Sequence, residues 1–346
     1  MTKKKHPKFY PTVSVCTPTF NRRPFINVLF ECFKNQTYPK EKIEWIIIDD
    51  GTDKIKDLVE NSGISQIKYY ELDTKISLGA KRNLMHEKTS GEIIVYMDDD
   101  DYYPPERIQH AVDKLLENPD ILIAGSSEMY IYFKHITTMY QCGPYNPNHA
   151  TAATFAFKRE LLKITKYNET KSLGEEKEFL KDYTIPMVQM DPFKTILVFS
   201  HTHNSFDKKE LLKNPNEYFK QSDVTIEHFI KYSKEANIKK FFIYDIEKLL
   251  EEYIPGSPIS KPDVLKQIRE NKISNINEAL KRHHSNFIKC LTELENTISI
   301  KPITENECLK KFNIELIIKI KNLNEIINQK DTEIKKFKDR EWDLLE

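Results

Sequence analysis

Between residues 12 and 119, short apolar runs alternate with segments whose apolar residues recur at helical spacing. "TVSVC" (12–16) is β-branched and stops at Pro18, and "IEWIIIDDG" (43–51), "IKYYEL" (67–72) and "EIIVYMD" (92–98) follow it as further strands. The intervening helices are expected at 23–36, with Pro24 in its first turn and Phe25, Val28, Leu29, Cys32 and Phe33 on one face, then at 52–63, 78–90 and 104–119. Apolar strands alternating with helices predict an α/β fold with a mainly parallel sheet covered on both faces. Ligands of such sheets bind outside the carboxyl ends of the strands. Three unusual segments fall there: "TPTFNRR" after the first strand, "DDG" after the second and "DDDD" after the fourth.

The last of these, Asp98–Asp101, places four carboxylates side by side after a buried strand. Like charges at that spacing raise one another's pKa values and destabilise the turn unless a positive partner is present. A divalent cation is the expected partner, Mn2+ or Mg2+, because hard ions take carboxylate oxygens and leave room for a substrate's phosphates. The chain has no GxxxxGK[ST] loop and no GxGxxG, which disfavours a P-loop NTPase and a dinucleotide-binding site.

Composition narrows the classes further. The 346 residues carry 53 basic and 53 acidic side chains, a balance that calls for neither nucleic acid nor an anionic membrane. No run approaches the roughly 18 apolar residues of a membrane span, and "MTKKKHPKFYP" has no apolar stretch behind its lysines. A cytoplasmic protein is expected. The five cysteines are widely spaced and lack a CxxC pair, so they read as buried thiols, not as a disulfide framework or zinc site.

"VSVCTPTFNRRPFINVLFECFKNQTYPKEKIEWIIIDDGT", "LGAKRN" and "GEIIVYMDDDDYYPPERI", in that order and spacing, resemble glycosyltransferase family 2, with its GT-A (Rossmann-like) nucleotide-sugar-binding fold. The resemblance covers roughly residues 10–205 and implies a metal-dependent, inverting transfer from a nucleoside-diphosphate sugar, UDP foremost, to a hydroxyl on a glycan, a protein or a lipid-linked sugar. It implies that Pro18, Thr19 and Asn21 or Arg22 line the nucleotide pocket, and that Asp49 or Asp50 accepts from a uracil N–H. Arg82 and Asn83 match the family's helix start, whereas Lys81 departs from it. Asp98 is assigned to ribose or metal, Asp99 to a variable donor-side position and Asp100 to the metal. The catalytic base is expected at Glu176, with Glu175 and Glu178 as alternatives, because Glu-Glu stands where the family has Glu-Asp. His201 or His203 is a further candidate metal ligand, both facing one side if "VFSHTHNSF" continues a strand.

Beyond about residue 206 the strand pattern fades. Helices are expected at 238–254 and, as a pair, within 263–298, separated by the linker "PGSPISKP". Leu316, Ile320, Leu323, Ile327, Lys330, Ile334, Phe337, Glu341 and Leu344 keep a heptad seam, with Lys330 and Glu341 as its polar interruptions, which predicts a coiled-coil homo-oligomer. The expected domains are 1–206, 207–305 and 306–346. Two rival functions fit the same residues: a sugar nucleotidyltransferase, and a non-catalytic sugar-nucleotide binder with a coiled-coil assembly role.

Overall fold

The structure, a computed structural model, describes residues 9–213, 215–300 and 321. The strands are β1 (Val13–Thr19), β2 (Ile43–Asp49), β3 (Ile67–Glu71), β4 (Ile93–Tyr96), β5 (Ile123–Gly125), β6 (Met129–Phe133), β7 (Thr138–Cys142), β8 (Ala156–Lys158), β9 (Met187–Gln189), β10 (Leu197–Ser200) and β11 (Phe219–Ser222). The helices are α1 (Arg23–Asn35), α2 (Lys56–Asn61), α3 (Leu78–Lys88), α4 (Arg107–Glu117), α5 (Glu176–Phe179), α6 (Ala236–Lys240), α7 (Ile246–Glu251) and α8 (Pro262–Ile300).

The main sheet runs β3-β2-β1-β4-β8-β5-β9. The strands β3, β2, β1 and β4 are mutually parallel, and β8 is antiparallel to both its neighbours, so the sheet is mixed. Every residue of the central strand β1 is buried, its polar Ser14, Thr17 and Thr19 included, as expected of a strand covered on both faces. Its polar Thr17 is satisfied internally: the hydroxyl donates to Met97 O at 2.6 Å and accepts from Trp45 Nε1 at 2.9 Å. Trp45 in turn stacks on Phe33 of α1, with ring centroids 4.3 Å apart.

Helix α1 buries more than the predicted stripe, because Ile26 and Phe30 are also covered. Both belong to the main core, where Phe30 lies edge-on to Trp45 at 5.8 Å, while Phe25 packs against Ile246 and Leu250 of α7, so α1 lies between the sheet and α6–α7. The helix expected over 238–254 is present as α6 and α7, joined by a π-helical turn at Phe241–Asp245.

A smaller sheet, β10-β6-β7-β11, extends the fold beyond what the sequence pattern announces. Its strand β11 lies beyond residue 206, where the strand pattern fades in sequence, and there Phe219 stacks on Tyr140 at 4.9 Å. The described residues up to 272 form one compact unit, and those from 273 onward belong to a second. The pair of helices expected within 263–298 is one continuous helix, α8, which contains no glycine or proline after its first residue to interrupt it. The heptad positions predicted at 316–344 lie outside the described residues. Cys16, Cys32 and Cys142 are buried free thiols. Among the described residues, no helix is long and apolar enough to cross a membrane.

Candidate active site

The turn after β1 forms one wall of a cleft at the carboxyl ends of the strands. Pro18, Thr19 and Arg22 line it, as expected, and so does Phe20, which the sequence reading passed over. Asn21 does not. It takes φ 50°, a left-handed conformation that asparagine tolerates, and its side chain is consumed locally. Its Nδ2 donates to Pro255 O at 2.9 Å and to Thr52 Oγ1 at 3.1 Å, while Oδ1 accepts from Asp53 N at 2.9 Å. Asn21 therefore shapes the turn that presents Arg22.

The "DDG" turn is likewise committed to the protein itself. Asp49 accepts from the backbone N–H groups of Gly51 and Ile55 and from the Tyr69 hydroxyl at 2.7 Å. Asp50 accepts from Ile76 N at 2.9 Å and pairs with Lys81, whose ammonium also reaches Thr19 O at 2.9 Å. The departure from the family pattern at Lys81 thus ties the first two strand-end turns together and adds a cation to the cleft lining. Asn83 sits on α3 but points away from this chemistry: it exchanges hydrogen bonds at 3.0 Å with Tyr167 O and N and so holds the 167–169 loop. Gly79, beside it, is required because a Cβ there would strike the Asn168 carbonyl.

The aspartate turn has positive partners within the chain. Arg22 lies 3.4 Å from Asp99 and 3.1 Å from Asp100, and Arg82 lies 3.3 Å from Asp98. These contacts divide the four carboxyls. Burial pushes Asp98 up and Asp99 to about 7, and burial with the neighbouring Asp100 charge pushes Asp101 well up. Asp100 goes the other way. Burial opposes its charge, but Arg22 and His201 override that and hold it well below the usual carboxylate range. Asp98, Asp99 and Asp100 face the cleft, whereas Asp101 is buried, with one oxygen lacking a partner among the described residues.

Magnesium and manganese commonly take one or two protein carboxylates and complete their shell with water and substrate phosphate. Asp98 and Asp100, with side chains 22% and 16% exposed toward the cleft, fit that donor set. Among the described residues, no group of three or more His, Cys, Asp or Glu is arranged to hold an ion, so the protein alone presents a partial shell.

The two histidines do not share a face. Strand β10 ends at Ser200, and Asn204 Oδ1 accepts from His201 N at 2.9 Å, folding 201–204 into a turn. His201 Nε2 lies 3.3 Å from Asp100, and burial pushes its ring down to about 3, so it is neutral. His203 turns toward Tyr253, with its Nδ1 buried and unpartnered among the described residues, and its backbone carbonyl accepts from Arg22 at 2.8 Å.

Glu175 and Glu176 open helix α5. Glu175 accepts from Arg82 Nε at 2.9 Å, so one guanidinium joins it to Asp98. Burial and the Glu175 charge push Glu176 up to about 7. Glu178 is exposed and accepts from Asn168 at 2.8 Å, a surface loop contact.

Sequence reasoning also missed Lys75, Ser172, Lys261 and Asp263 in the cleft lining. Lys261 and Asp263 belong to a segment read as linker and helix, and no local pattern marks them as facing a site in the first half of the chain.

Residues 14–172 match the family described as glycosyl transferase family 2. This segment is a family 2 glycosyltransferase domain. That domain is one of a transferase enzyme. An uncharacterised glycosyltransferase of Haemophilus influenzae is 23% identical over 247 residues, covering 68% of this chain and 94% of that protein. The poly(ribitol-phosphate) β-N-acetylglucosaminyltransferase TarS of Staphylococcus aureus is 30% identical over 114 residues, 32% of this chain and 20% of its own length. The chain thus spans about a fifth of TarS. Among solved structures, the mannosyltransferase PcManGT of Pyrobaculum calidifontis, in complex with GDP-Man and Mn2+, gives a TM-score of 0.45 at 18% identity, over 56% of this chain and 60% of that one. S. aureus TarS 1-349 gives 0.43 at 20% identity, over 55% and 60%.

Proposed function

We propose that the glycosyltransferase domain has the GT-A architecture and transfers a sugar, with inversion, from a nucleoside-diphosphate sugar to an acceptor hydroxyl. UDP is the proposed nucleotide, and the acceptor a glycan, protein or lipid-linked sugar. The observation that carries this reading is the cleft, which sets three aspartates, Asp98–Asp100, among Arg22, Lys75, Lys81 and Lys261. Such a mixed lining suits an anionic ligand that arrives with a cation. Phe20 contributes an aromatic ring there, with Lys75 Nζ 5.2 Å and Lys81 Nζ 6.0 Å from its centroid.

Asp98 and Asp100 are the residues that would hold Mn2+ or Mg2+, which would supply counter-charge to the departing diphosphate. Arg22 keeps Asp100 ionised and in place. Glu176, pushed up to about 7, is tuned to take the proton of the acceptor hydroxyl at neutral pH. Arg82 fixes Glu175 beside it and spans to Asp98, which orders the two sides of the reaction relative to each other. Neutral His201 steadies Asp100.

Calorimetry of UDP-, GDP- and dTDP-sugars in manganese and in chelator, followed by product analysis, tests the reading. Tighter binding with metal and release of free nucleoside diphosphate support it. Binding without turnover on any acceptor would leave the non-catalytic binder, and failure of every activated sugar to bind would end both.

A further inference from the structure

Residues 253–267 lie outside the matched domain, yet they run across its cleft. Tyr253 donates to Asp53 Oδ2 at 2.8 Å, and the Pro255 carbonyl accepts from Asn21 at 2.9 Å. Gly256 follows, so close to the first turn that a Cβ there would come within 2.5 Å of Asn21 O. On the far side, Asp263 pairs with Lys75 at 2.5 Å and accepts from Ser172 Oγ at 2.6 Å. Gln267 Oε1 then accepts from the backbone of Ser172 and Leu173 at 2.7 and 3.0 Å. The strap is therefore fastened at both ends, to the turns that shape the cleft and to the loop that leads into Glu175–Glu176.

Between these fastenings sits Lys261, 5% exposed and lining the cleft. The other cations of the lining are each matched by a carboxylate: Arg22 by Asp99 and Asp100, Lys75 by Asp263, Lys81 by Asp50. Lys261 has no carboxylate within salt-bridge distance among the described residues, and its ammonium donates to Ser205 Oγ at 2.8 Å. A buried ammonium is strongly disfavoured without an anionic partner. Burial and the Arg22 charge push Lys261 down to about 7, and the acids that act on it, Asp100 and Asp99, are already held by Arg22. The cation left over lines the same cleft as Asp98, Asp99 and Asp100.

We propose that Lys261, carried over the cleft by this strap, binds the diphosphate of the nucleotide donor. This rests on the transferase reading above and adds a donor-binding residue supplied from outside the matched domain. A diphosphate suits the position because its several oxygens could be shared between a metal ion that Asp98 and Asp100 would hold and the Lys261 ammonium in the same lining.

The test is isothermal calorimetry of the full chain with UDP, GDP and uridine in manganese, on the parent and on Lys261→Met, Lys261→Gln and Lys261→Arg. The Met and Gln variants are expected to weaken nucleoside diphosphate binding by about ten- to a hundredfold, the worth of a charge-assisted hydrogen bond. Uridine affinity should be unchanged, and Arg should restore part of the loss. The melting temperature of unliganded Lys261→Met should equal or exceed the parent's, because an unpaired buried charge has been removed. Undiminished nucleoside diphosphate binding in both Met and Gln variants would overturn the proposal and leave the transferase reading standing. Equal weakening of uridine and diphosphate would also overturn it, assigning Lys261 to the shape of the cleft. A parent chain that binds neither UDP nor GDP would overturn both.

Discussion

Arg82 donates through Nε to Glu175 Oε1 at 2.9 Å, and both side chains are buried. The same guanidinium lies against the Tyr96 ring, 4.5 Å from its centroid, so it is fixed on three sides by Glu175, Asp98 and Tyr96. Replacing Arg82 with methionine would leave Glu175 buried without its partner, a change of about 3–5 kcal/mol against folding. Lysine would keep the charge but not the fork that serves two carboxylates. Denaturant unfolding of Arg82→Met, Glu175→Met and the double variant should show the double variant more stable than Arg82→Met alone.

Glu176 carries the expected pH dependence. Its carboxyl is protonated below about 7 and cannot take a proton there, so turnover should rise with pH through that value. Glu176→Gln should lower turnover by at least about a hundredfold while sparing donor binding. The stability sign is opposite to the activity sign. A carboxyl raised from 4.5 to about 7 by folding holds its proton longer in the folded state, so its contribution to stability falls as pH rises between those values. Melting curves at pH 5 and pH 8 should show that loss shrink in Glu176→Gln.

Against its burial, Arg22 and His201 hold Asp100 well below the usual carboxylate range. Asp100→Asn should therefore remove the gain in nucleoside diphosphate affinity that manganese provides over chelator. Titration calorimetry in the two conditions reads this directly: parallel curves are expected for the variant and separated curves for the parent.

His201 is held neutral by burial, with its ring pushed down to about 3. Its ring-proton NMR resonance should not shift between about pH 5 and about pH 8, where an ordinary histidine titrates. A midpoint inside that range would show that solvent reaches the ring.

The order of strands and helices was legible over residues 12–119 because each element there carries its own periodicity, from the apolar β1 to the α1 stripe. The strand-end turns were legible for the same reason, since the parallel strands bring "TPTFNRR", "DDG" and "DDDD" to one edge. The division of labour within them was not. Asp49 and Asp50 look alike in sequence, yet Asp49 is used up by Gly51, Ile55 and Tyr69, while Asp50 anchors a cleft lysine. Arg22 and Arg82 carry no local sign that they neutralise the aspartates, because both contacts are made across the fold. Strand β11 escaped notice because its alternation is only four residues long, with Phe219 its one fully apolar buried position.

The matched segment stops at residue 172, and Gln267 grips the backbone on both sides of that boundary, at Ser172 and Leu173. Grafting experiments inherit this seam. A chimera that exchanges only the matched segment between relatives would carry in a loop end whose clasp stays behind on the host, and Lys75 would arrive without Asp263. Swaps made to transplant donor preference should therefore move 253–267 together with the segment it fastens.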